Sequence, residues 1–229
     1  IMLKNLIILF IVSLIGCVVG FKKYVYFLSI GYGASIALVG LALAIMSLIG
    51  VFNGTLLTYL LCIVLIGYGC RLSLFLIIRE LKSAGYQKVF KEVGGEDKLP
   101  MFVMVTMWLC VAVLYVALCT PTYFRLFNGT GSTALGYVGL VISILGIIIE
   151  AVADLQKSAQ KAKRPDMVAK EGLYKICRCP NHFGEITVWT GMLIGCLDSI
   201  NGIGQIITVL LAWVSIVYIM FNGAQRLEK

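Results

Sequence analysis

Seven apolar stretches, most of them about as long as a bilayer is thick, dominate the chain: 3–20, 25–50, 55–78, 101–119, 133–153, 184–198 and 204–221. A helix needs about 20 predominantly apolar residues to cross the hydrocarbon core. Only structures that satisfy their own backbone polar groups can do so. The pattern predicts an all-α fold: a polytopic membrane protein, a bundle of seven transmembrane helices forming one domain over residues 1–229. Asn53-Gly54, Pro121, Asn128-Gly129 and Asn201-Gly202 read as turns between spans. Pro100 stands where a helix takes its first residue, and there its missing N–H costs nothing. The sixth stretch is short and is expected to reach back toward Phe183. Only 13% of the residues are charged, too few to clothe a water-soluble domain of this length.

The cations orient the bundle. Of the 19 lysines and arginines, two follow the first stretch (Lys22, Lys23) and five follow the third (Arg79 to Lys98). Seven follow the fifth (Lys157 to Arg178), and Arg226 and Lys229 lie at the C-terminus. Only Lys4 and Arg125 fall on the other side, and Arg71 lies inside the third stretch. The positive-inside rule then places the N-terminus outside and the C-terminus inside, as in a multi-pass protein of a bacterial inner membrane. The net charge of +8 belongs to the inner loops, where it serves topology or meets a phosphate ligand. The first stretch lacks a small-residue cleavage site and reads as a retained span rather than a signal peptide. Most of the eight cysteines sit in or beside apolar runs, so they form no disulfide framework. Asn53-Gly-Thr and Asn128-Gly-Thr match glycosylation sequons but read as tight turns against the membrane.

Ionisable groups inside spans are costly and mark function by default. Tyr68, Arg71 and Arg79 lie roughly along one face of the third stretch. Arg71 could also snorkel to the interface, and Arg79 could anchor there. Glu150 and Asp154, at i and i+4, end the fifth stretch, where two carboxylates repel unless a donor sits between them. Ribose hydroxyls, the cations of the next loop, or pairing with Arg71 or Arg178 would each serve. The loop 154–183 carries Lys161, Lys163 and Arg164 and ends in Gly172-Leu-Tyr-Lys-Ile-Cys-Arg-Cys-Pro-Asn-His-Phe-Gly-Glu185. Arg178, Asn181, His182 and Glu185 gather there, although Glu185 could simply stabilise a helix N-terminus. Cys177, Cys179 and His182 lack a fourth zinc ligand nearby, so no metal is expected. No GxGxxG after a strand, no Walker GKS or GKT and no HExxH occurs. A nucleotide would have to be held by helix ends and loops.

The segment from Gly172 to Trp189 resembles the "GLWxYSRHPNYFGExxxW" signature of the steroid 5-alpha-reductase-like membrane enzymes. Glu150-Ala-Val-Ala-Asp154-Leu-Gln-Lys157 is similar to the "ExxADxQK" segment upstream of it in bacterial members. Gly67-Tyr68-Gly-Cys-Arg71, followed by Arg79, resembles their Tyr- and Arg-bearing third span. The resemblance covers roughly residues 55–229.

It implies a reductase that takes NADPH from the cytosol and a lipid-phase substrate, an enone steroid or steroid-like lipid, from the bilayer. Nucleic acid is not an expected partner. Carried over by motif, Asn181, Glu185 and Asp154 contact the cofactor within the segment 150–189, with Arg178 or Lys161 on its phosphates. Glu150, His182, Lys163, Arg164, Arg71 and Arg79 complete the expected cofactor set. Tyr68 matches the tyrosine that donates to the substrate carbonyl. This chain departs from the family in carrying Cys177, Cys179 and His182 where the signature has Ser, His and Tyr. The family also pairs its tyrosine with a glutamate in the second span, whereas residues 25–50 contain no acid. Members usually continue into a cytoplasmic tail beyond the position of Lys229. Two alternatives stand beside the reductase: an isoprenylcysteine-type methyltransferase using S-adenosylmethionine, and a non-catalytic degenerate member. The basic cluster Lys161–Arg164 favours a phosphorylated dinucleotide over a methyl donor that carries no phosphate.

Overall fold

A computed structural model describes residues 1–82, 99–164 and 168–226. Lys88, Lys91 and Lys98 of the expected inner loop lie outside the described residues, as do residues 165–167 of the expected cofactor segment. The described chain is helical throughout, in two compact units, residues 1–130 and 131–229. The first unit holds α1 (Met2–Cys17), α2 (Ile30–Leu48), α3 (Leu56–Lys82) and α4 (Met101–Phe127). The second holds α5 (Ala134–Lys163), α6 (Pro180–Cys196) and α7 (Ile203–Arg226). Six of these seven helices are long and apolar enough to cross a membrane, so the chain is a multi-pass membrane protein. The exception is α6, whose 17 residues fall short of a full span. The helices are clad in aliphatic side chains: Leu3, Ile7, Ile11 and Ile15 form an exposed stripe on α1, suited to lipid rather than water.

Two boundaries differ from the sequence reading for identifiable reasons. Pro121 does not end a span; it lies inside α4. Proline cannot donate to the carbonyl four residues back, and the hydroxyl of Thr120 donates to that carbonyl, Ala117 O, at 2.5 Å. A serine or threonine that satisfies the freed group is how a membrane helix tolerates proline. The turn follows at Asn128-Gly129, with Gly129 at φ +66°. Likewise, the fifth helix does not stop near residue 153. It begins at Thr133, whose side chain accepts from Gly136 N at 3.1 Å, and continues to Lys163 through Ala, Leu, Gln and Lys, all strong helix formers. Arg164 is followed by Pro165, which disfavours helical backbone at the residue before it. Glu150 and Asp154 therefore stand well inside α5 rather than at its end.

Small residues set the close approaches within each unit. In the first, Gly33 and Gly69 bring α2 and α3 into backbone contact, and Ser73 Oγ donates to Ile30 O at 3.0 Å. In the second, Gly139 faces Gly191 and Gly195, while Gly146 faces Gly184 and Val188. A Cβ at Gly146 would come within 2.5 Å of Val188 N, and backbone cannot yield as a flexible side chain would. Ser143 Oγ, between these contacts, donates to Val188 O at 3.0 Å. Such seams of Gly and Ser let membrane helices gain packing that apolar bulk alone does not provide. Trp213 of α7 closes the second unit, donating to Thr190 Oγ1 at 2.9 Å.

Candidate functional site

The seam between α5 and α6 positions the acidic residues. Gly184 lies so close to α5 that a Cβ there would be 2.6 Å from Glu150 N. Glu185, the next residue, is thereby carried to the same level. Glu150, Asp154 and Glu185 are all buried, and each has polar or electrostatic partners within the chain. Buried carboxylates cost several kcal/mol each unless compensated, which sets these three apart from the apolar packing around them. Among the described residues, no three His, Cys, Asp or Glu side chains are grouped to hold a metal ion.

Beyond the carboxylates, two glutamines of α5 tie down the segment that follows. Gln160 Oε1 accepts from Lys170 N at 2.8 Å and Glu171 N at 3.0 Å, and its Nε2 donates to Glu171 O at 3.2 Å. One turn back, Gln156 Oε1 accepts from Leu173 N at 2.8 Å. Gly172 lies between these anchors at φ +66°, with the Gln156 amide where a Cβ would stand. Both its left-handed backbone and its lack of side chain are needed there. The sequence reading passed over this latch, because an amide four residues from another looks like ordinary helix surface.

The latched segment is concave and basic. A cavity of about 470 Å³ is lined by Gln156, Gln160, Lys163, Arg164, Lys170 and Glu171. A second, of about 360 Å³, is lined by Lys170, Tyr174, Lys175, Cys177 and Arg178. Of the cations expected to meet phosphate, Lys163, Arg164 and Arg178 line these cavities, whereas Lys161 lines neither. Lys170 and Lys175, which the motif comparison did not mark, do line them. The phenol oxygen of Tyr174 is buried without a hydrogen-bond partner. Burial, and after it the Asp154 carboxylate, pushes this phenol above its usual pKa, so it stays protonated and able to donate. Asn181 and His182 are half-buried in the first turn of α6, which opens on Pro180. The His182 ring sits 3.1 Å from where a Cβ on Gly223 of α7 would be, so it also serves packing.

The remaining expected residues belong to the first unit. Tyr68 of α3 is completely buried. The Arg71 guanidinium lies 5.8 Å from the centre of its ring, and Arg79 stands over Phe75 at the same distance. Tyr32 of α2 faces Tyr68, hydroxyl to hydroxyl, at 3.3 Å. Glu80, one residue past Arg79, accepts from the Tyr26 hydroxyl and pairs with Lys23 at 3.2 Å. Sequence reasoning found Tyr68 and the arginines through their polarity in an apolar run. It missed Tyr32, whose phenol raised no charge signal.

Comparison with known families shows what kind of chain this is. It belongs to the family described as "Protein of unknown function (DUF1295)", whose model matches residues 15–229. Neither the curated proteins nor the solved structures gave a match.

Proposed function

Starting from that membership, we propose that the protein is a membrane-embedded reductase. It would use NADPH to saturate the activated carbon–carbon double bond of an enone steroid or steroid-like lipid, as the resemblance to steroid 5-alpha-reductase-like enzymes implies. The observation that carries the reading is the pair of cation-lined cavities in the segment that follows the buried carboxylates Glu150 and Asp154 and resembles the family's cofactor signature. A dinucleotide with an extra phosphate needs cations for its phosphates and acceptors for its ribose hydroxyls. Lys163, Arg164 and Lys170 line one cavity, and Lys175 and Arg178 the other. The protonated Tyr174 hydroxyl is a further donor with no partner of its own. These residues fit the cofactor. A methyl donor without phosphates would leave the same cations unused, which disfavours the methyltransferase alternative.

When bound, NADPH would supply the hydride for the carbon beta to the carbonyl. The chain's own task is at the other end of the enone. As the electron pair of the double bond moves toward the carbonyl oxygen, negative charge develops there, and the Tyr68 hydroxyl donates to it. A proton from water would then reach the alpha carbon, giving the saturated ketone. In a buried, low-dielectric site a donor fixed in advance is worth far more than in water. Arg71, over the Tyr68 ring, favours the same charge. The reading is tested by offering the purified chain NADPH and a panel of 3-oxo-4-ene steroids and shorter enone lipids. Consumption of NADPH matched by saturated ketone is expected; no turnover on any of them counts against it.

On the positive-inside rule we read the latched segment as cytoplasmic. Ser158→Cys and Ser83→Cys, each in a background lacking native cysteines, should resist an impermeant maleimide in intact cells and react after permeabilisation. Ser83 lies outside the described residues, and Ser158 is exposed on α5. Ready labelling in intact cells would reverse the orientation.

A further inference from the structure

We infer that Tyr32 is the positioning partner of Tyr68, and that its hydroxyl takes the place of a carboxylate from the second helix. The inference rests on the reductase reading and specifies how Tyr68 works in this chain. Among the described residues of the first unit the only acid is Glu80, and it is engaged by Lys23 and Tyr26. The second helix brings a phenol to Tyr68 instead: Tyr32 Oη lies 3.3 Å from Tyr68 Oη, both residues being buried.

Tyr115 holds that phenol in place. Its ring lies 4.9 Å from the Tyr32 ring, centre to centre, at 37°. Its hydroxyl donates to Phe27 O at 2.7 Å, which fixes Tyr115 itself and directs its proton away from Tyr32. Three tyrosines from α4, α2 and α3 thus stand in sequence, with Tyr68 last. If the Tyr68 proton points to a substrate oxygen, the Tyr68 oxygen must accept, and Tyr32 is the neighbouring donor. A hydrogen bond received strengthens the one given. Tyr32 therefore acts through Tyr68 without touching the reacting atoms.

Two measurements test this. With 3-fluorotyrosine at position 68 of the full chain in detergent, the fluorine resonance should move on Tyr32→Phe, with no substrate present. A resonance that stays put overturns the contact. In NADPH-dependent reduction of a 3-oxo-4-ene steroid, Tyr32→Phe should lower kcat about tenfold, with KM changed less than about twofold. In a Tyr68→Phe background the same change should cost nothing further, because the two act as one unit. A tenfold loss in both backgrounds would assign Tyr32 to packing and overturn the inference while leaving the reductase intact. Absence of turnover by the unsubstituted chain across the enone panel overturns the reductase reading and this inference together, and the fluorine result then reports the contact alone.

Discussion

Tyr68→Phe should lower turnover by about 10²–10³-fold while leaving NADPH affinity unchanged, the cost typical of removing one preorganised donor from a developing oxyanion. The ring is retained, so packing against Tyr32, whose ring centre is 6.2 Å away, is preserved. Only the donor is lost. The loss should appear in kcat, since the interaction strengthens as charge builds on the carbonyl oxygen and is weaker in the ground state. Were the hydroxyl merely satisfying its neighbour, the variant would be less stable and turnover per folded molecule would be unaltered. Full activity of the Phe variant on any accepted substrate would remove Tyr68 from the chemistry.

The second large effect is electrostatic. Lys163→Gln and Arg164→Gln together should weaken NADPH by about a hundredfold and NADH by no more than about threefold, because only NADPH carries the 2′-phosphate. Each charge-assisted contact is worth about 1.5–3 kcal/mol in general. These side chains are exposed, so the lower end applies, about tenfold apiece. Both line the larger cavity. Lys161→Gln, which removes a cation from neither cavity lining, serves as the comparison and should change NADPH affinity least. Raising the ionic strength should reduce the NADPH preference in the unsubstituted chain and hardly alter the double variant. Equal losses for the two nucleotides would mean that the cations serve topology alone.

What could be read from the sequence follows from which forces are local. Transmembrane helices declare themselves because the bilayer demands long apolar runs, and α1, α2, α3, α4, α5 and α7 lie where such runs were found. Their ends were less legible. Pro121 is a breaker in water, but Thr120 repairs the ladder at that point, and nothing in a residue count announces the repair. The last turns of α5 are polar, so hydropathy stops near residue 153 although helix propensity carries the helix to Lys163. The carboxylates Glu150, Asp154 and Glu185 stood out because charge in an apolar run is expensive. Gln156, Gln160 and Tyr32 stayed hidden, since each gains its meaning from a partner distant in sequence: the 170–173 backbone for the glutamines, and Tyr68 for Tyr32.

Direct titration of the purified chain with NADPH, NADH and S-adenosylmethionine tests the central claim before any substrate is known. The proposed cofactor site predicts saturable one-site binding of NADPH, NADH weaker by about tenfold or more, and no binding of S-adenosylmethionine. Lys163→Gln should erode the NADPH isotherm specifically. Binding of S-adenosylmethionine in preference to either nucleotide, or binding of none of the three by a correctly folded chain, would contradict the reductase reading.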